Sequence, residues 1–166
     1  MLRRILFFVL FLTLLITACI KKKEVTYVSD ETLIRQQITH FEDAIKQKNP
    51  ELFSDYYARD KIVVFPLWEQ DSLSTWEEVI SYWKDFFNSN QVTKFSLGSV
   101  TVNTAGRSGW VKAKWEMKLE KSKSLKKKKQ YYELKGRYTA IFENKEGHWQ
   151  VVHEHMSVAS SNLFTK

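Results

Sequence analysis

His153, His155 and Ser157 are the residues of this chain best spaced to do chemistry. They fall at every second position of Trp149 to Val158, an apolar and β-branched run that predicts a strand. In an extended strand such residues share a face, so all three are expected beside Trp149 and Val151. Two imidazoles near a cavity could act as general base, with His153 or Tyr57 assisting His155, or could form part of a metal site. A metal needs a third ligand, and neither His40 nor His148 stands at a useful spacing, so no metal is expected. The reading preferred over both is a half-buried His155 that hydrogen-bonds within the sheet and touches a ligand.

Other parts of catalytic machinery are missing. The strand carboxylates Glu116, Glu120, Glu133 and Glu154 alternate with apolar residues, which predicts that they face outward and stay solvated. None is expected to be a desolvated acid with a raised pKa. Asp60 and Asp71 read as loop caps. There is no Gly-rich phosphate loop, nucleophile elbow or dinucleotide fingerprint, so no cofactor is expected. Aromatic residues make up 14% of the chain. Tyr57, Trp68, Trp83, Phe87, Trp115 and Tyr138 each sit on an apolar stripe. They either fill a core or converge on a pocket for a flat, apolar ligand.

The elements that must position these residues follow from periodicity. Ile34, Ile38, Phe41 and Ile45 recur at helical spacing. Asn49-Pro50 breaks the chain and starts a shorter helix bearing Leu52, Phe53, Tyr56 and Tyr57. Ile62 to Leu67 predicts a short strand ended by Pro66. Thr75-Trp76-Glu77-Glu78 has the form of a capping box and opens a third helix, with Val79, Ile80, Trp83, Phe86 and Phe87 on its apolar face. Beyond Asn90 the period changes to two. Val111, Ala113, Trp115, Met117 and Leu119 alternate with charged residues, and Tyr132 to Phe142 repeats the pattern. Val92 to Asn103 is an earlier strand whose alternation slips near Gly98, which predicts a bulge. Helices first and strands second give an α+β fold: three N-terminal helices packed in a strongly curved, mainly antiparallel sheet.

This order of elements, with Gly136-Arg137-Tyr138-Thr139-Ala140-Ile141-Phe142 and then Glu146-Gly147-His148-Trp149 to Ser157, resembles the nuclear transport factor 2-like superfamily. Within it the nearest likeness is to SnoaL-like domains and to the association domain of calcium/calmodulin-dependent kinase. The resemblance implies a cone with a pocket at its open end, in which Arg137, His155 and Ser157 are the polar positions carried over. It also implies frequent dimerisation through the outer sheet face. Isomerases of this superfamily use a carboxylate inside the cone, and the alternation above predicts none here. The expected function is therefore non-catalytic binding of a small apolar ligand or a partner, with Tyr57, Trp68, Trp83, Trp115, Arg137, Tyr138, His155 and Ser157 at the site. The alternatives are a lyase or isomerase centred on His155, and a dimeric scaffold.

The leader adds a location. Arg3 and Arg4 precede an apolar run that ends in Leu15-Ile16-Thr17-Ala18-Cys19, and lysines follow at once. This resembles a bacterial lipoprotein signal with Cys19 as the lipidated residue, rather than a membrane span. Residues 1–18 are then a signal peptide, 19–29 a tethered linker, 30–160 the domain and 161–166 a tail. Cys19 is the sole cysteine, so the folded part has no disulfide or thiolate chemistry. The net charge is +7. Lys21, Lys22 and Lys23 are placed to meet lipid headgroups, and the lysines between Lys121 and Lys129 read as a solvated hairpin tip. Lysine clusters without stacking rings do not suit nucleic acid.

Overall fold

The computed structural model describes residues 28–121 and 130–158. The expected signal peptide, most of the linker, the lysine-rich hairpin tip and the tail lie outside these residues. In chain order the elements are α1 (Asp30–Gln47), a 3-10 helix (Pro50–Asp55), β1 (Val63–Phe65), α2 (Trp76–Ser89), β2 (Asn90–Ala105), β3 (Ser108–Lys121), β4 (Gln130–Lys145) and β5 (His148–Val158). Apart from β1, which lies between the 3-10 helix and α2, helices precede the strands of a curved, mostly antiparallel five-stranded sheet, as the change of period predicts. The second expected helix is a single 3-10 segment, and Leu52, placed on its apolar face, is largely exposed.

Local chemistry sets the boundaries. Ser29 caps α1, its hydroxyl accepting from the Thr32 N–H at 3.3 Å, and Lys48 closes the helix in a left-handed conformation. Asn49 caps the 3-10 helix with Pro50 at its first position. Thr75 and Glu78 complete a reciprocal capping box at α2.

The sheet runs β1-β5-β4-β3-β2, with β1 parallel to β5 and the other neighbours antiparallel. It curls over α1, whose Phe41 is the hub of the core. That ring stacks on Tyr56 at 4.8 Å and meets Phe53, Trp83, Phe95 and Tyr138 within 6.0 Å. The bulge expected near Gly98 is present, with Ser99 at positive φ, and a second slip occurs between Val92 and Lys94.

A third irregularity decides the site. Phe142 pairs with Val151 but Ile141 pairs with His153, so Val152 is an extra residue in β5. The cause lies in the chain before β1. The Val151 N–H donates to the Tyr56 carbonyl at 2.8 Å, and the Val151 carbonyl accepts from the Ala58 N–H at 2.9 Å. Val151 is thereby tied to a neighbour on its other edge, and the strand takes up the offset at Val152. Every residue beyond the bulge changes face.

Candidate functional site

Beyond Val152, Glu154 and Met156 point into the core while His153, His155 and Ser157 point away from it. Two expectations are corrected. The histidines and Ser157 do not share a face with Trp149 and Val151, and Glu154 is not an outward, solvated carboxylate. It is 1% exposed and is the sole buried charged residue among those described.

A buried carboxyl is costly unless hydrogen-bonded. Three tyrosines supply the bonds. Tyr57 donates to Oε1 at 2.9 Å, Tyr138 to Oε2 at 3.1 Å, and Tyr56 approaches Oε2 at 3.4 Å. The Tyr56 and Tyr138 hydroxyls also bond to each other. Tyr56 and Tyr57 arrive from the turn after the 3-10 helix, Tyr138 from β4 and Glu154 from β5, so the cage is drawn from three parts of the chain. Burial raises the Glu154 pKa to about 7, although the hydrogen bonds from Tyr57, Tyr138 and Tyr56 work in the opposite direction. Burial, reinforced by the Glu154 charge, pushes all three tyrosines well above their ordinary value. They therefore remain neutral donors, while the carboxyl exchanges its proton near neutrality.

Glu154 opens on an apolar cleft bounded by Val64, Leu67, Trp68, Trp83, Phe86 and Met156, among others. Its cavity volume is ≈ 10 Å³, about the space one water needs. Trp68 forms the rim: it is 48% exposed and stacks on Phe86 at 5.3 Å. The loop that carries it is pinned at its root by paired Val64 and Leu73 hydrogen bonds of 2.9 and 2.8 Å. Trp83 is buried and its Nε1–H completes no hydrogen bond, although it lies near enough to Tyr57 to favour that phenol's ionised form. The cleft thus combines apolar walls with a carboxyl that can donate or accept.

Of the residues singled out from sequence, Tyr57, Trp68, Trp83 and Tyr138 gather around this cleft and its carboxyl. Trp115 is fully buried and spans the sheet, its Nε1–H donating to the carbonyls of Arg137 at 3.1 Å and Ser157 at 3.2 Å. Arg137, His155 and Ser157 lie on the outer face, away from the cleft, and His153 flanks Phe65 there. Among the described residues no three His, Asp or Glu side chains converge as metal ligands. Sequence reasoning missed Glu154, Tyr56 and the bulge. One signal was available: Val151 and Met156 are both apolar but five apart, and a regular strand cannot bury both.

Comparison with known proteins agrees with this architecture. The model of the SnoaL-like domain family matches residues 34–161. No curated protein matches the chain in sequence. Among solved structures, a conserved protein from Planctomyces limnophilus superposes with a TM-score of 0.67 at 16% identity, covering 78% of this chain and 96% of its own. A ketosteroid isomerase-like protein from Erwinia carotovora atroseptica gives 0.66 at 13% identity, covering 81% and 99%. An NTF2-like protein from Cytophaga hutchinsonii gives 0.65 at 12% identity, covering 80% and 100%. These identities speak for the fold alone. The matched chains consist of little besides this domain. With a family model covering most of its length and this fold behind it, the chain belongs to the SnoaL-like domain family of the NTF2-like superfamily.

Proposed function

We propose that this is a binding domain for a small, mainly apolar molecule carrying one hydrogen-bonding group, held outside the cytoplasm by lipid on Cys19. The ligand's polar group meets Glu154 and the Trp83 indole, and its apolar body displaces Trp68 from Phe86. The carrying observation is a carboxyl only 1% exposed on an apolar cleft, where burial raises its pKa to about 7. Such a group is half protonated at neutrality, so it can donate to a carbonyl or accept from a hydroxyl. The leader motif and Lys21 to Lys23 support the location.

The ligand class is tested by titrating residues 24–166 with acetophenone and following tryptophan fluorescence. A carbonyl needs the protonated acid. The protonated fraction falls from about nine-tenths at pH 6 to about one-tenth at pH 8, so affinity should fall about tenfold. Glu154→Leu should remove that dependence. Failure to bind at either pH, by both the wild type and the more open Trp68→Ala variant, would contradict the reading.

A second reading is favoured by the same pKa, which suits a general acid–base operating near neutrality. Glu154 would then move a proton within an isomerase or lyase substrate, and the Trp83 N–H would stabilise developing oxyanion charge. This reading replaces His155 by Glu154 as the central residue. It predicts a turnover that Glu154→Gln abolishes and His155→Ala leaves intact.

A further inference from the structure

The outer face of the sheet carries a compact patch that the cleft does not use. Trp110, Ile141 and Phe65 are exposed there by 46%, 45% and 41%. Trp110 and Ile141 are direct cross-strand neighbours, and Phe65 sits against His153 and His155 with ring separations of 5.6 and 6.1 Å. On the same face follow Lys112, Lys114 and Arg137, with Lys114 directly opposite Arg137.

These three cations differ from their neighbours. Glu116 and Glu133 farther along the face are already bridged by Lys94, Lys118 and Lys135. Lys112, Lys114 and Arg137 make no ion pair among the described residues. Like charges opposed across a strand pair are unfavourable, and an anionic partner relieves the repulsion. Tryptophan and phenylalanine beside unpaired cations are the residues that settle at a membrane interface.

We propose that this corner of the outer sheet face docks on a bilayer rich in anionic phospholipid, laying the domain against the membrane that holds its tether. The inference rests on the lipid-anchor reading of Cys19 and not on the ligand in the cleft. The tether allows it. Trp149 Nε1 donates to Asp30 at 3.2 Å, and Ile34 packs over Gly109, so α1 begins beneath the strand position next to Trp110. Nine residues lie between Cys19 and Ser29, ten chain steps that reach at most about 36 Å, ample to pass around a sheet layer about 10 Å thick. A second copy fits less well. The patch is about 14 Å on a side by strand spacing, whereas a stable dimer buries about 800 Å² per partner. Reaching that area would lay a copy over the unpaired cations.

The test is co-sedimentation of residues 24–166, which lack Cys19, with phosphatidylglycerol or phosphatidylcholine vesicles. Using this piece separates failure of the surface from failure of the anchor. Binding is expected to phosphatidylglycerol alone and to be lost in high salt. Each cation is worth about fivefold in partition, so replacing Lys112, Lys114 and Arg137 by Ser should weaken it roughly 100-fold. Trp110→Ser should weaken it as well. All four positions are exposed, and circular dichroism checks the fold. Equal partition onto phosphatidylcholine, absence of binding, or retention by the triple variant would overturn the proposal; retention would assign the affinity to the lysines between 121 and 129. A dimer in sedimentation equilibrium that Trp110→Ser dissolves would overturn it in favour of a second copy.

Discussion

Replacing Glu154 by Gln tests the electrostatics of the core without changing its shape. Gln keeps one acceptor oxygen for the Tyr57 hydroxyl and offers an amide N–H₂ to the Tyr56 and Tyr138 oxygens, which are free to rotate. Its cost should be about 1 kcal/mol and independent of pH. The wild type behaves differently, because folding raises the carboxyl pKa from 4.5 to about 7. Such a group favours the folded state fully below pH 4.5, and that contribution disappears as the pH rises through 7. The difference corresponds to ~3 kcal/mol. Glu154→Gln should therefore be slightly less stable than wild type at pH 5 and more stable by ~2 kcal/mol at pH 8. Urea unfolding of residues 24–166 at several pH values reads this directly. With a slope near 2 kcal/mol/M, the gap between the two midpoints should change by about 1.2 M over that range. Contributions from other groups cancel in the difference. Parallel midpoint curves for the two proteins would refute the reasoning, since they would mean that Glu154 titrates alike folded and unfolded.

Gly136→Ala should destabilise the domain by about 2–4 kcal/mol. A Cβ there would collide with the Ser157 carbonyl and press on Trp115 Nε1, breaking the bonds by which that indole spans β4 and β5; thermal unfolding checks it, and a shift of the melting temperature under about 3 °C would be too small for that clash. Cys19→Ser should release the full chain from membranes into the soluble fraction in high salt, and persistence on the membrane there would contradict lipidation. On the sequence expectation of a solvated tip, changing Lys126 to Lys129 to Ser should leave stability within about 0.5 kcal/mol; a large fall in unfolding midpoint would contradict that expectation.

The fold was legible because its signals are local. Thr75 and Glu78 announce a capping box three residues apart, the Trp110 to Glu120 alternation reports one wet face, and Gly98 marks a bulge that Ser99 completes at positive φ. The candidate site was not legible because its decisive feature is tertiary. No glycine or proline marks the Val152 bulge; backbone bonds from Tyr56 and Ala58, some ninety residues earlier, impose it. A strand read in isolation keeps its parity, which sends Glu154 to water and His155 to the cavity. Periodicity identified Tyr57, Trp83 and Tyr138 as inward rings, but the hydroxyls that make them a cage become visible only once three segments meet.

Native mass spectrometry of residues 24–166, purified gently from the protein's own host, tests most directly whether the Glu154 cleft is a binding site. The account predicts an added small mass that disappears on denaturation and is diminished in the Glu154→Leu variant. A bare chain in the wild type, or an added mass that Glu154→Leu retains in full, would contradict it.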